Sequence, residues 1–187
     1  MSQETMGHLK IILGPMFSEK STYLIREYKR CEAIGQQILA INYIDDDRYS
    51  NDDEIVNHNN SSISCIKTKE LMPLLETLNL DDYAKILIDE SQFFDDLVEF
   101  VQHVVDIMHK HVVVAGLDGD WRRQAFGHTL ELIPFCDEVH KLHALCLVCR
   151  DGTKAIFSKK ISGTSETAEI GSSETYSAVC RRHFCSI

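Results

Sequence analysis

The sequence lacks an apolar run long enough to span a membrane, and it has no internal repeat and no long low-complexity tract. Basic residues are few, since 19 Lys and Arg face 29 Asp and Glu, which gives a net charge of -10. Because nucleic-acid polymers are bound through clustered cations, this balance argues against such a partner, whereas a few local donors can hold a free nucleotide. The opening residues, MSQETMGHLK, lack the apolar stretch of a signal peptide, so we expect a cytoplasmic protein without a membrane partner.

Cysteine, by contrast, is abundant, with seven residues in a chain of 187. An odd number does not suit a disulfide framework, and paired cysteines in a reducing compartment are better interpreted as metal ligands. Cys146 and Cys149 form a C-x-x-C pair, and Cys180 and His183 repeat that spacing. The two pairs predict a tetrahedral Cys₃His zinc site, which is structural because four protein ligands leave no open position. Cys185 is an alternative to His183. The remaining cysteines are expected to be plain core or surface residues: Cys31, Cys65 and Cys136.

Short apolar runs alternate with helical patterns before Cys146. The runs predict strands at residues 8–13, 37–43, 84–88 and 111–117. The helical patterns cover residues 20–33, 70–78 and 95–109, and residues 45–62 are predicted to be a polar loop. This alternation predicts an α/β fold, with a parallel sheet and flanking helices. After Cys146 small polar residues predominate. This composition indicates a smaller unit that cannot bury a core alone and therefore needs a cross-link.

Residues 14–22, GPMFSEKST, follow the first predicted strand and open the first predicted helix. That is the context of a phosphate-binding loop, G-x-x-x-x-G-K-[ST], in which Lys20 reaches the β- and γ-phosphates of ATP and Ser21 binds Mg²⁺. The alternative is an ordinary strand-turn-helix with an exposed lysine. Glu19 replaces the second glycine, and we expect it to weaken the ATP site through backbone strain and charge repulsion. The predicted ATP-binding loop comprises Gly14, Pro15, Met16, Phe17, Ser18, Glu19, Lys20 and Ser21.

Two carboxylates, Asp89 and Glu90, follow the third predicted strand. Ligands bind at the carboxyl ends of parallel strands, so Asp89 is predicted to bind Mg²⁺ opposite the phosphate loop. Glu90 is a predicted general base, which accepts the proton of a hydroxyl nucleophile as phosphoryl transfer begins. In an ATPase the same glutamate would activate water, and two solvated acids are the plain alternative.

Together these motifs resemble the cellular and poxvirus type of thymidine kinase. The matching blocks run from residue 9 to residue 183: ILGPMFSxKST, DxRYS, DExQFF, VEF, LDG, the C-x-x-C pair and Y-x-x-x-C. The resemblance implies a P-loop ATP-binding α/β domain at residues 1–143. It also implies a zinc-binding domain at residues 144–187, whose lasso loop closes over thymidine, and a homotetramer.

The resemblance assigns roles residue by residue. Glu90 matches the catalytic base, and Asp89, Asp46, Arg48 and Gln92 match the ATP and Mg²⁺ site. The implied thymidine pocket comprises Met16, Phe93, Trp121, Phe126, Ser158 and Tyr176, with Thr167, Ala168, Glu169, Ile170 and Gly171 of the lasso. Trp121 is larger than the phenylalanine usual at its position, and Ser172 stands where the lasso usually has a second glycine. Each aromatic residue could instead be core.

Three functions compete on these observations. The first is transfer of the γ-phosphate of ATP to the 5'-hydroxyl of thymidine, a reaction of deoxynucleoside salvage. The second is a P-loop ATPase or switch with a zinc knuckle for a partner protein, which has no need of an aromatic pocket. The third is a catalytically retired nucleotide binder, for which Glu19 is the main support. We expect the first.

Overall fold

The computed structural model of the chain describes residues 6–44, 53–57, 59, 61–162 and 175–185. Its main element is a six-stranded sheet, and all pairs of neighbouring strands in it are parallel. These strands are β1 (His8–Gly14), β2 (Ile38–Tyr43), β5 (Ile66–Thr68), β6 (Lys85–Ile88), β7 (His111–Leu117) and β8 (Glu138–Lys141), in the order β5-β2-β6-β7-β1-β8. A short antiparallel hairpin, β3 (Glu54–Val56) with β4 (Ser62–Ser64), lies between β2 and β5 in the chain.

Helices cover both faces of this sheet. The α-helices are α1 (Lys20–Glu32), α2 (Leu74–Thr77), α3 (Leu97–Gln102) and, near the C-terminus, α4 (Arg181–Cys185). A π-helix, His103–Ile107, continues α3, and three 3-10 helices span Leu80–Asp82, Ser91–Phe93 and Thr129–Phe135. The predicted fold class, a parallel sheet with flanking helices and a small zinc-stapled part, is confirmed.

Alternate residues of the central strands pack into two separate cores, because successive side chains of a strand point to opposite faces. Ile12 and Val113 pack on the α1 side with Leu24 and Ile25. Their neighbours along the strands pack on the opposite side with α3 and the π-helix: Ile11, Leu13, Val112, Val114, Leu97, Phe100 and Val104. With both faces covered, the central strands are apolar throughout, and this continuous pattern made them predictable from the sequence.

Three predicted elements differ from the structure. Residues 45–62 are not wholly loop, since β3 and the start of β4 fall there, and Ile55 and Ile63 bury themselves beside α1. The helix predicted at residues 70–78 is only the single turn α2, because Pro73 stands at its start and lacks the N–H that a preceding turn would need. The helix predicted at residues 95–109 keeps its buried stripe but widens into the π-helix after Gln102.

The described residues after 143 form a small unit, which we call the C-terminal unit (residues 144–162 and 175–185). It contains two two-stranded antiparallel sheets, β9 (Ala144–Leu145) with β10 (Lys154–Ala155) and β11 (Phe157–Lys160) with β12 (Tyr176–Val179), followed by α4. Its buried core is small: Ala144, Cys146, Ala155, Ala178, Val179 and Cys180. A core of this size supports the expectation that the unit needs a further cross-link.

Candidate active site

The phosphate loop joins the carboxyl end of β1 to the first residue of α1. Phe17 and Glu19 both have positive φ, 63° and 66°, so the loop turns sharply twice before the helix. The hydroxyl of Ser18 and the Nζ atom of Lys20 both donate to the carbonyl of Pro15, at 2.8 and 3.0 Å. Backbone N–H groups in such a turn, together with a helix N-terminus, form a concave site for anions.

Glu19 has the left-handed backbone expected of the glycine it replaces, with φ 66° and ψ 30°. The predicted strain rests on this conformation, because a side chain in that region costs about 1–2 kcal/mol. The residue itself is exposed to solvent, unlike its buried neighbours Ser18 and Lys20. Exposure limits the repulsion between its carboxylate and a phosphate, because water screens the interaction.

Asp89 and Glu90 stand where β6 ends, at the same edge of the sheet as the phosphate loop. One strand, β7, separates β6 from β1, so the two strand axes lie about 10 Å apart. Both carboxylates are buried, at 2% and 8% exposure, and Glu90 has a left-handed backbone with φ 49°. Residues held in such conformations cluster at functional sites, and buried acids are unusual elsewhere.

Gln92 braces Glu90. Its Nε2 atom donates to the carboxylate of Glu90, and its Oε1 atom accepts from the N–H of Leu117 at 3.0 Å. The amide thus ties the end of β6 to the end of β7, and Gln92 is itself only 3% exposed. The geometry gives this residue a part in holding the carboxylate, in addition to the ATP-binding role implied by the resemblance.

A loop of residues 118–127, which we call the aromatic loop, follows β7 and carries Trp121 and Phe126. Gly127 ends it with φ 60°, and a Cβ atom there would lie 2.0 Å from the carbonyl oxygen of Gln92. Only glycine permits this close approach. As a result the ring of Phe126 meets the ring of Phe93 edge-on at 5.4 Å, and Phe93 in turn stacks on Tyr43 at 5.1 Å.

Trp121 lies close to the C-terminal unit. The Nζ atom of Lys160 is 5.8 Å from the Trp121 ring and 5.7 Å from the ring of Tyr176, its cross-strand neighbour on β12. The guanidinium of Arg122 also lies over the indole, at 4.4 Å. The structure therefore brings two of the predicted nucleoside residues, Trp121 and Tyr176, to one lysine. Neither Lys160 nor Arg122 was predicted, because only the β11–β12 register and the loop conformation place them here.

Met16 and Ser158 are joined directly. The backbone N–H of Met16 donates to the hydroxyl of Ser158 at 2.9 Å, and Ser158 is 6% exposed. This hydrogen bond connects the phosphate loop to β11. A cavity of about 290 Å³ flanks the other side of the loop, lined by residues that include Glu19, Thr22, Tyr23, Arg26, Lys141 and His143.

The two predicted metal-ligand pairs converge on one point. The donor atoms of Cys146, Cys149, Cys180 and His183 all lie within 4.8 Å of one another. The Sγ atoms of Cys149 and Cys180 are 3.8 Å apart, and the three Sγ–Nδ1 distances to His183 are 3.3, 3.4 and 3.6 Å. A tetrahedral zinc ion, with Zn–S near 2.3 Å and Zn–N near 2.0–2.1 Å, separates two sulfurs by about 3.8 Å and a sulfur from a nitrogen by about 3.5 Å. The cluster therefore fits zinc, and Cys185 is an exposed residue outside it.

The local environment gives two cysteines of this cluster different pKa values. Burial raises the pKa of Cys146, but hydrogen bonds from the backbone of Cys149, Cys180 and Val148 outweigh it and bring that pKa to about 6. Burial and the neighbouring Cys146 thiol raise the pKa of Cys149 to about 11. Of these two thiols, Cys146 therefore has the lower pKa.

Some predicted site residues lie outside the described residues. These are Asp46 and Arg48, and the lasso residues Thr167, Ala168, Glu169, Ile170 and Gly171.

The geometry can be compared with known proteins. A family model described as thymidine kinase matches residues 7–184. Thymidine kinase a of Arabidopsis thaliana is 42% identical over 181 residues, which cover 95% of this chain and 75% of that protein. The chain belongs to the thymidine kinase family. The thymidine kinases of Monkeypox virus and Yaba monkey tumor virus (strain VR587) are 38% and 43% identical, over 94% of this chain and 96% and 93% of their own lengths.

Membership of the thymidine kinase family confirms the resemblance carried by the sequence motifs, which reaches nearly the whole chain. It favours a kinase over a P-loop ATPase or switch. Within the described part of the chain, no helix combines the length and apolar character needed to cross a bilayer.

Proposed function

We propose that this protein transfers the γ-phosphate of ATP to the 5'-hydroxyl of thymidine, giving thymidine monophosphate. The observation that carries the proposal is that the phosphate loop and the buried Glu90 share one carboxyl edge of the parallel sheet. A phosphate cradle and a proton-accepting carboxylate are what phosphoryl transfer to a hydroxyl requires. Thymidine as the acceptor follows from the family.

The phosphate loop, residues 14–21, binds the phosphates of ATP through its backbone N–H groups and Lys20. Ser21 and Asp89 would hold Mg²⁺ between them, and the roughly 10 Å between β1 and β6 leaves room for the ion and the phosphates. The ion held by these residues would supply positive charge to offset that of the phosphates. Asp46, Arg48 and Gln92 are assigned to the same site by the sequence motifs, and the cavity beside Tyr23 and Arg26 offers space for the base of ATP.

Glu90 acts as the general base. The hydrogen bond from Gln92 fixes the carboxylate at the end of β6. Glu90 accepts the proton of the 5'-hydroxyl as that oxygen attacks the γ-phosphorus, and ADP leaves with the bonding electrons. Burial of Glu90 limits the access of water to its carboxylate.

The nucleoside pocket lies between the aromatic loop and the C-terminal unit. We infer that Trp121 and Phe126 line it from the loop, Phe93 from the 3-10 helix after β6, and Met16, Ser158 and Tyr176 from the opposite side. The sequence motifs assign residues 167–171 of the lasso to the same pocket. The buried indole N–H of Trp121 has no hydrogen-bond partner within the described residues. Buried donors are rarely left unpaired, so this group supports the presence of a ligand acceptor beside Trp121.

The Cys146, Cys149, Cys180 and His183 cluster would hold one structural zinc ion, which pins both ends of the lasso segment. We propose the boundary between the ATP-binding and zinc-binding domains at residue 143, just before the C-terminal unit begins. A homotetramer in the cytoplasm is the assembly and location that the motifs suggest.

One observation favours a second candidate, the retired nucleotide binder. Glu19 strains the phosphate loop and brings a negative charge to the phosphates. Turnover separates the two functions, since a retired binder would bind ATP and thymidine without forming product.

The test is a thymidine phosphorylation assay with labelled thymidine, ATP and Mg²⁺. We expect the wild type to form thymidine monophosphate, and Glu90→Gln to lower kcat by about 10²- to 10⁴-fold while thymidine binding is nearly unchanged, because a lost base acts on the transition state. Glu32→Gln, an exposed glutamate at the end of α1, is the matched control and should keep full activity. Near-normal turnover of Glu90→Gln would show that Glu90 is not the base.

A further inference from the structure

Arg123 reaches from the aromatic loop to the metal-site side of the molecule. Its guanidinium lies 4.7 Å from the ring centroid of Phe184 and 5.6 Å from that of Phe157. Both rings belong to the C-terminal unit, on α4 and β11, and they contact each other at 5.0 Å. Distances below about 6 Å from cation to ring centroid are those of cation–π pairs. One arginine therefore connects the aromatic loop to the C-terminal unit through these cation–π contacts.

Internal hydrogen bonds make the loop rigid around this arginine. The buried Asp120 accepts from the N–H groups of Arg122 and Gln124 through one carboxylate oxygen, at 2.8 Å each. The backbone of Asp120 pairs with that of Gln124 at 2.8 Å and accepts from the N–H of Arg123 at 3.0 Å. Residues 120–124 thus form one tight turn. A displacement of Arg123 must also move Trp121, which belongs to the same turn.

On the other side, the rings that hold Arg123 are fixed by the metal-site element. Phe184 directly follows His183 in α4, and the carbonyl of His183 accepts from the Nζ atom of Lys159 on β11 at 3.0 Å. A metal ion held by His183 and Cys180 would fix the orientation of α4, and with it the Phe184 ring. Arg123 therefore stands between the metal ligands and the turn that carries Trp121.

We propose that Arg123 is a positioning residue, which couples metal binding at the Cys₃His cluster to the orientation of Trp121 in the nucleoside pocket. Its effect on thymidine rests on the proposed function, whereas the coupling between the cluster and Trp121 does not. The contact is exposed to solvent, so its strength is that of a surface cation–π pair, enough to change thymidine binding by about twofold to fivefold.

The first test uses fluorescence, because Trp121 is the single tryptophan of the chain. In the zinc-loaded protein, Arg123→Ala should keep its zinc, shift the emission of Trp121 and make it more accessible to acrylamide. Removing zinc from the wild type with a chelator should produce the same change, and removing it from Arg123→Ala should add little. Arg123→Lys should restore part of the wild-type signal, since a lysine keeps the charge.

Arg181→Ala is the matched control. Arg181 lies over the same Phe157 ring at 5.1 Å, but it belongs to α4 of the C-terminal unit and not to the aromatic loop. This variant loses an equivalent arginine–ring contact and should leave Trp121 fluorescence unchanged. If Arg123→Ala and Arg181→Ala give the same spectra and the same quenching as the wild type while both keep zinc, Arg123 does not couple the two sites.

Kinetics provide the second readout. Arg123→Ala should raise KM for thymidine by about twofold to fivefold and leave KM for ATP and kcat unchanged, because the phosphate loop and Glu90 are not displaced. A general loss of folding would instead lower kcat and affect both substrates. A wild type without thymidine turnover would overturn the proposed function, yet the fluorescence comparison would still decide the coupling. An unchanged KM for thymidine in Arg123→Ala would contradict the proposal.

Discussion

Glu19 shows how one residue can act on stability and on binding in different ways. Its left-handed backbone is a property of the folded loop, so the strain of about 1–2 kcal/mol lowers the stability of the protein. Its carboxylate acts on bound phosphate, but the side chain is exposed, so the repulsion is closer to the value in water than to that in a protein interior. The two effects can therefore be separated by two substitutions.

Glu19→Gln removes the charge and keeps the strain, whereas Glu19→Gly removes both. We expect Glu19→Gln to raise ATP affinity by up to about fivefold, which corresponds to about 1 kcal/mol for unit charges 4 Å apart in water. Glu19→Gly should bind ATP as tightly as Glu19→Gln does. It should in addition unfold at a temperature a few degrees higher than the wild type, since the relief of strain exceeds the extra chain entropy of glycine. ATP titration under constant Mg²⁺ and thermal unfolding measure the two effects. Equal ATP affinities in all three proteins would show that the charge is harmless.

The aromatic loop is an element whose position depends on one glycine. Gly127 combines a left-handed backbone with a close approach to the carbonyl of Gln92, and this contact sets Phe126 against Phe93. Gln92 in turn holds Glu90, so the loop and the carboxylate are parts of one packed arrangement.

Gly127→Ala should therefore destabilise the protein by about 2–4 kcal/mol, from left-handed strain and from the overlap with Gln92. We expect a fall in melting temperature of roughly 5–15 °C and a higher KM for thymidine. Gly35→Ala is the matched control: Gly35 also has a positive φ of 76°, but a Cβ atom there meets nothing within 4 Å. Comparing the thermal unfolding of the two variants separates the effect of the close approach from that of the positive φ. Equal falls in melting temperature would mean that the overlap is relieved at no cost.

The core of the C-terminal unit consists of a few small residues and cysteines, so we expect a bound metal ion to hold this element together. We expect about one zinc ion per chain in the purified protein. His183→Ala should weaken zinc binding and raise KM for thymidine more than KM for ATP, because the lasso segment loses one of its anchors. Cys185→Ser is the control and should keep its zinc, since Cys185 lies outside the cluster. Metal analysis decides the matter: zinc retained by His183→Ala and lost by Cys185→Ser would reverse the assignment.

At the scale of the whole molecule, several contacts between the described residues join the two parts. The Met16–Ser158 hydrogen bond joins the phosphate loop to β11, Lys160 lies near Trp121, and Arg123 reaches Phe157 and Phe184. Because the proposed nucleoside pocket lies at this junction, we expect substrate binding and the relative position of the two parts to be linked.

Assembly also belongs to this scale. The family resemblance predicts a homotetramer, and light scattering at working concentration should report about four times the 21.3 kDa of one chain. The measurement should be repeated on the His183→Ala protein, to learn whether assembly needs an intact metal site. A wild-type protein that scatters as a monomer would contradict the prediction.

Local patterns in the sequence were sufficient for the parts that depend on local chemistry. Continuous apolar runs marked β1, β2, β6 and β7, because strands covered on both faces must be apolar throughout. The spacing of Cys146, Cys149, Cys180 and His183 marked a metal cluster, since a pair two residues apart can turn both donors to one ion. The phosphate loop and Asp89-Glu90 were evident because each directly follows a predicted strand.

Tertiary structure alone decided the contacts between residues far apart in the chain. The β3–β4 hairpin escaped prediction because its strands have three residues each, and Ile55 and Ile63 are buried only by packing beside α1. The brace of Gln92 on Glu90 depends on the left-handed turn at Glu90, which no pattern of residue types specifies. Lys160 reaches the junction through the β11–β12 register, and Arg123 reaches it through the conformation of the aromatic loop. The register and the loop conformation arise only when the whole chain packs. The sequence by itself therefore determined which chemical groups are present, and the packing of distant segments determined which of them meet.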